Sequence, residues 1–112
     1  MKVAIIGSRS WTDSAPIEKC VAELPSDTTV ISGGARGADQ TAARRSKMRG
    51  LEVVVFKAKW ALYGRYAGLR RNIEMAQACD RCVAFWDGMS PGTRHMISEV
   101  KKLGKPVEII TR

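Results

Sequence analysis

The sequence predicts an α/β chain of the Rossmann-like class: three layers, α/β/α, around a five-stranded parallel sheet in the order 3-2-1-4-5. Three observations carry that prediction. Short, unalternating and mostly β-branched apolar runs recur at residues 3–6, 28–31, 53–56, 83–86 and 107–110, as strands buried on both faces require. A helical pattern fills each gap, and strict alternation of strand and helix implies a parallel sheet covered on both sides. The widest spacing lies between the third and fourth runs, where the chain recrosses the sheet. Right-handed crossovers then put every loop that follows a strand on one edge, with the order reversing between strands 1 and 4. The 112 residues, 45% hydrophobic, suit one domain, 1–112, with a modest core.

Each element has its own local signals. The first strand ends at Gly7. Asp13 or Ser14 caps the first helix, Pro16 sits in its first turn, Ile17, Val21 and Leu24 share a face, and Pro25 stops it. The second strand breaks into Ser32-Gly33-Gly34-Ala35-Arg36-Gly37-Ala38-Asp39. The helix that follows presents Ala38, Ala42, Arg45 and Met48 inward and ends at Gly50. After the third strand comes a long basic and aromatic loop, Lys57 to Arg71, which Trp60 and one tyrosine pin to the body. Leu69, Ile73 and Ala76 mark the inner face of the third helix. The fourth strand runs into Asp87-Gly88-Met89-Ser90-Pro91-Gly92-Thr93. Ser90 caps a helix begun by Pro91, with Met96, Ile97, Val100 and Leu103 inward and Gly104-Lys105-Pro106 as its stop.

Composition excludes several classes. No apolar run is long enough to cross a membrane, and the first is too short for a secretion signal, so a cytoplasmic protein without a membrane partner is expected. The cysteines, Cys20, Cys79 and Cys82, lack a disulfide-framework spacing. Cys79-Asp80-Arg81-Cys82 closes a helix and enters a strand, the reverse of a redox pair that opens a helix. His95 is the only histidine, so no metal site and no cofactor are expected. The net charge of +8 is concentrated: residues 36–72 carry ten Lys/Arg against two acids, and the remainder nine of each sign. Such a stretch attracts phosphate, on a small nucleotide or on nucleic acid. Arg44, Arg45, Lys47 and Arg49 read as a solvated helix face; Arg36, Arg70 and Arg71 lie beside loop motifs.

Four loops should meet at the carboxyl edge of the sheet. In the first, Gly7 permits a sharp turn, Ser8 and Ser10 offer hydroxyls, Arg9 a planar donor fork and Trp11 a stacking face. In the second, Gly33 and Gly34 permit close backbone approach, Gly37 lets the helix pack on the sheet, Arg36 adds charge, and Asp39 caps the helix or takes a ribose hydroxyl. The third brings Arg71 and Asn72 at the start of a helix. In the fourth, Gly88 and Gly92 open the backbone, Ser90 and Thr93 donate hydroxyls at a helix N-terminus, and Asp87 takes a sugar hydroxyl or serves as a base. The turn after strand 2 is neither a G-x-G-x-x-G nor a Walker loop, which disfavours a dinucleotide dehydrogenase or a P-loop nucleotidase. His95 and Glu99 read as helix-surface residues.

The set Gly7-Ser8-Arg9, Ile31 through Asp39, Trp60 with Tyr63-Gly64, Arg71-Asn72 with Met75, and Ala84 through Gly88 followed by Ser90, Gly92 and Thr93 resembles the SLOG superfamily. Within it, the set is most similar to the small stand-alone YspA, cpYpsA-related branch; Lonely Guy proteins and DprA are relatives. The resemblance implies a Rossmann-like fold whose cleft binds nucleotides or nucleotide-derived molecules. Lonely Guy enzymes hydrolyse the N-glycosidic bond of cytokinin nucleoside monophosphates through a P-G-G-x-G-T-x-x-E loop and a helix arginine. Gly92-Thr93 matches the G-T, Arg71 resembles the arginine, and Met96 stands where the glutamate would be. DprA-type relatives bind single-stranded DNA.

The expected function is therefore binding of a small nucleotide-derived phosphorylated ligand by a sensor or carrier module. One alternative is an N-glycosidase-like hydrolase on nucleoside monophosphates, with Asp87 and Arg71 as its catalytic residues or Asp39 as the acid. Another is a nucleic-acid-binding protein using the basic middle third. The resemblance also implies a homodimer.

Overall fold

The structure, a computed structural model, describes residues 1–111. Strands β1 (Lys2–Gly7), β2 (Thr29–Ser32), β3 (Glu52–Val55), β4 (Arg81–Trp86) and β5 (Val107–Thr111) form one parallel sheet in the order β3-β2-β1-β4-β5. Helices α1 (Ala15–Ala22), α2 (Ala38–Met48), α4 (Ala67–Ala78) and α5 (Pro91–Lys102) connect them. Between β3 and α4 the long loop contains a short helix, α3 (Trp60–Tyr63), and a 3-10 turn (Gly64–Tyr66). Rossmann-like architecture and strand order are as the alternation predicts.

Alternating side chains of the inner strands feed two cores. Val3 and Ile5 of β1, with Val30, Val83 and Phe85, meet Ile17 and Val21 of α1 and Ala38 and Ala42 of α2. Ala4 and Ile6, with Ile31, Cys82 and Ala84, meet Met75 and Ala76 of α4 and Met96, Ile97 and Val100 of α5. Burial of this kind contributes about 1.5–3 kcal/mol per large side chain. None of the helices among the described residues is long and apolar enough to cross a membrane.

Five local expectations need correction. β3 and β5 are not buried on both faces: Val54, Val55 and Ile109 are exposed, because each edge strand has a neighbour on one side only. In α2, Met48 points to solvent and Arg45 pairs with Glu18 of α1 at 2.9 Å; the buried row is Ala38, Ala42 and Ser46, whose small side chains let the helix lie close to the sheet. In α4, Leu69 and Ile73 face outward while Ala67, Asn72, Met75 and Ala76 face in. Leu103 is exposed just beyond the end of α5. Two of the three tryptophans depart from their expected roles. Trp11 is buried edge-on against Phe85, ring centroids 5.5 Å apart, and donates its Nε1–H to the Asp13 carbonyl, so it offers no stacking face. Trp60 is 56% exposed, with only the edge of its ring close to α4, 3.7 Å from where a Gly68 Cβ would be.

The cysteines are free. Burial raises the thiol pKa of Cys79 and Cys82 above the ordinary value, which leaves the C-x-x-C as inert thiols rather than thiolate nucleophiles.

Candidate functional site

The carboxyl edge of β1 and β4 holds a cleft of about 550 Å³ between the loop after β1, α4, the loop after β4 and the first turn of α5. It sits where the strand order reverses, the usual position for ligands in open α/β sheets. Three groups of interactions build it.

Asp39 is the hub of the first. It stands in the first turn of α2, nearly fully buried. Its Oδ1 accepts from the Gly7 N–H at 3.0 Å and its Oδ2 from the Gly33 N–H at 3.1 Å, so one carboxylate ties the ends of β1 and β2 together. Gly33 has no room for more: a Cβ there would lie 2.9 Å from Asp39 Oδ2 and 3.1 Å from Arg71 Nη1. Burial pushes the Asp39 pKa up to about 6, outweighing the amide bonds and the nearby Arg71 charge that pull it down. Asp39 therefore braces two loops.

Arg71 and Asn72 of α4 form the second group. Arg71 donates from Nη1 to the Gly33 carbonyl at 2.7 Å and from Nε to Asn72 Oδ1 at 3.1 Å. Burial lowers its pKa, Asp39 raises it, and the like charge of Arg9 lowers it again. Arg9 and Arg71 thus bring two guanidinium groups to one cleft. Asn72 donates to the Gly92 carbonyl at 3.2 Å and contacts His95 Nδ1 at 3.1 Å. His95 in turn meets Glu99 at 3.3 Å, so neither residue is the isolated surface group the sequence suggests.

Asp87 centres the third group. Its oxygens accept from the Met89 and Ser90 N–H groups, both at 2.8 Å, from Ser90 Oγ at 2.9 Å and from Ser10 Oγ at 3.1 Å. Its own N–H donates to Ser8 Oγ at 3.0 Å. The amide bonds hold its pKa below the ordinary carboxylate range. Ser90 does occupy the N-cap of α5, but its hydroxyl goes to Asp87 instead of capping. The Gly92 and Thr93 N–H groups meet no protein acceptor among the described residues. Beyond its own helix turn and chain neighbours, nothing among the described residues lies within 4 Å of where a Gly92 Cβ would be.

Of the residues singled out in the sequence, Gly7, Ser8, Arg9, Asp39, Arg71, Asn72, Asp87, Ser90, Gly92 and Thr93 all line the cleft. Gly33, Gly34, Arg36, Gly37 and Gly88 do not. The amides of Gly33 and Gly34 are taken by Asp39 and by Ser32 Oγ, so these two glycines contribute architecture, and Ala35 is the residue of the turn on the cleft wall. Sequence reasoning missed the apolar floor of Ile6, Met75 and Met96. The alternation of Ile6 with Ile5 along β1 and the inward face of α5 at Met96 were the available signals, since the floor is the end of that core where it reaches the carboxyl edge.

Known proteins place the chain further. Residues 1–63 match the family described as YspA, cpYpsA-related SLOG. The gene 61 protein of Mycobacterium phage D29 is 40% identical over 116 residues, across 95% of this chain and 93% of that protein. DNA processing protein A (DprA) from Streptococcus pneumoniae superimposes with a TM-score of 0.84 over 96% of this chain, at 18% identity; the match spans 49% of that protein. The Helicobacter pylori DprA, described for its single-stranded DNA binding mode, gives 0.75 over 97% of this chain and 64% of its own, at 19% identity. Protein TM1055 gives 0.71 over 95% and 71%, at 20% identity. The structural likenesses speak to the fold. The sequence match over more than half the chain and the 40% identity to the phage protein establish the family: the chain belongs to the YspA, cpYpsA-related SLOG family.

Proposed function

We propose that the cleft binds a nucleotide or nucleotide-derived phosphorylated small molecule, so that the chain acts as a sensor or carrier module. One observation carries this reading. The guanidinium groups of Arg9 and Arg71 share a cleft with the unpartnered Gly92 and Thr93 N–H groups of α5, over open space at Gly92. Two like charges held together are relieved by an anion, and first-turn amides are matched to phosphate oxygens. The apolar floor of Ile6, Met75 and Met96 suits the uncharged part of a nucleoside rather than a second phosphate.

Hydrolysis draws less from this geometry. Asp87 has its oxygens committed to four donors, and a carboxylate whose pKa is held down is a weak base. Met96 contributes no acid. Asp39, raised to about 6, is the carboxyl whose pKa suits proton transfer, yet it already braces Gly7 and Gly33.

A thermal-shift panel of nucleoside mono- and diphosphates and inorganic phosphate tests the reading. A ligand present at about 100 times its Kd stabilises by about 2.7 kcal/mol, a rise in Tm of roughly 10 °C for a chain of this size. Arg71→Ala should weaken the affinity by roughly tenfold or more, the loss of a charge-assisted contact. A panel in which no compound moves Tm would overturn the proposal.

Nucleic-acid binding draws on a different surface. Trp60 and Tyr66 are exposed amid Lys57, Lys59, Arg65 and Arg70, and Arg65 and Arg70 stack on Tyr66 and Tyr63. Exposed rings among cations suit stacked single-stranded bases. By contrast, Arg45 and Arg49 are bound to Glu18 and to the Val21 carbonyl at the opposite edge of the sheet. Oligonucleotide affinity lost on Trp60→Ala, with a steep salt dependence, would support this second reading. The exposed Leu69 and Ile73, one turn apart on α4, are where a homodimer would pair.

A further inference from the structure

A chain of side chains runs from α5 to the cleft arginine: Glu99, His95, Asn72, Arg71. The orientation of its central amide is set by groups that have no choice of role. The Gly92 carbonyl is only an acceptor and Arg71 Nε–H only a donor, so Asn72 turns its Nδ2 to Gly92 and its Oδ1 to Arg71. That leaves an Asn72 N–H against His95 Nδ1 at 3.1 Å. The ring nitrogen there must accept, which places the imidazole proton on Nε2, facing Glu99 Oε1 at 3.3 Å. The network is complete with a neutral ring.

We propose that Asn72 and His95 are positioning residues for the anion site and that protonation of His95 releases Arg71 from its set geometry. A proton on Nδ1 puts two donors face to face. Asn72 can answer only by rotating its amide, which turns Nδ2 against Arg71 Nε–H, or by leaving the ring. Either movement loosens the Asn72 contacts to Arg71 and to the Gly92 carbonyl, which join α4 to the first turn of α5. The charged groups recorded around the ring are Glu99 on α5, which Lys102 also contacts at 3.2 Å, and Arg71, through Asn72, on α4. Glu99 Oε1 suits a proton on Nε2, and Asn72 Nδ2 suits a bare Nδ1. The consequence for ligand binding rests on the phosphate-site reading; the coupling of His95 to Arg71 does not.

The test is an NMR titration of the free protein and of the protein with sulfate, whose charge is constant between about pH 5.5 and pH 8. The Arg71 Nε–H resonance should shift with the same midpoint as the His95 ring nitrogens. Sulfate affinity should fall by roughly fivefold from the upper to the lower pH, the loss of about one hydrogen bond. His95→Gln, which can still offer an acceptor to Asn72 but cannot titrate, should remove the component of both curves that follows the His95 ring nitrogens and leave the one set by Asp39 beside Arg71. An Arg71 resonance indifferent to the His95 titration, or a His95→Gln protein with unchanged pH dependence, would overturn the proposal. Coupled resonances without sulfate binding at any pH would uphold the positioning of Arg71 and sink the phosphate site instead.

Discussion

The two glycine-bearing turns look alike in sequence and do opposite things. The turn after β2, residues 32–39, has the amides of its glycine pair consumed: Asp39 takes Gly33 N–H and Ser32 Oγ takes Gly34 N–H, while the Gly33 carbonyl accepts from Arg71. The turn after β4, residues 87–93, satisfies its early amides on Asp87 and then leaves those of Gly92 and Thr93 open to the cleft. Glycine in the first turn makes room for protein. Glycine in the second leaves room that protein does not use.

Glycine-to-alanine substitution separates these roles most sharply at position 37. Gly37 has φ +82°, and a Cβ there would lie 2.5 Å from the Ser8 carbonyl oxygen and 2.6 Å from that of Arg9. Both contacts are to backbone, and that of Ser8 is itself tied to Phe85 and to Ala38 of α2. Left-handed strain and overpacking together cost about 2–5 kcal/mol. Urea unfolding of Gly37→Ala should show a midpoint lowered accordingly, with little change in slope; a loss below about 1 kcal/mol would mean the turn yields and is not the rigid support described.

Asp39 offers the next largest effect, and its sign is unusual. Its folded pKa, about 6, lies above the ordinary value of 3.8, so the native state holds the proton more tightly than the unfolded chain. The stability this group adds is fully present below the unfolded pKa and is lost as pH rises through about 6. Wild type should therefore lose about 2 kcal/mol relative to Asp39→Asn between about pH 4.5 and pH 7. Parallel stability curves for the two proteins would show that the amide bonds to Gly7 and Gly33, not burial, govern this carboxyl.

The contrast also shows where sequence reasoning reaches. Strand order was legible because alternation and right-handed crossovers leave few topologies. The convergence of Arg9, Arg71, Asp87 and Thr93 on one edge followed from the same rule. What the residues alone could not reveal is which partner each would choose. Leu69 and Ile73 fit a helix face, but α4 is turned by its contact with α5 and puts Asn72 and Met75 inward. Gly33 looks like a ligand cradle until a carboxylate six positions later is seen to fill it. His95 has no partner nearby in sequence other than Glu99, because Asn72 comes from another helix.

Gly92→Ala gives the smallest change in stability and the clearest test of the comparison. A glycine inside the first turn of α5 costs helix stability relative to alanine, about 0.5–1 kcal/mol. The fold gives nothing back at this position, since, its own helix turn and chain neighbours aside, no atom of the described residues lies within 4 Å of the would-be Cβ. The substitution should therefore stabilise the free protein slightly, the reverse of Gly37→Ala. The added methyl group would stand where an anion must approach the Gly92 and Thr93 amides, so affinity for a phosphorylated ligand should fall by roughly tenfold. Measured side by side, the unfolding midpoint should rise while the ligand-induced shift in Tm shrinks. A variant that gains stability and binds as before would show that the open space above α5 is not the anion's place.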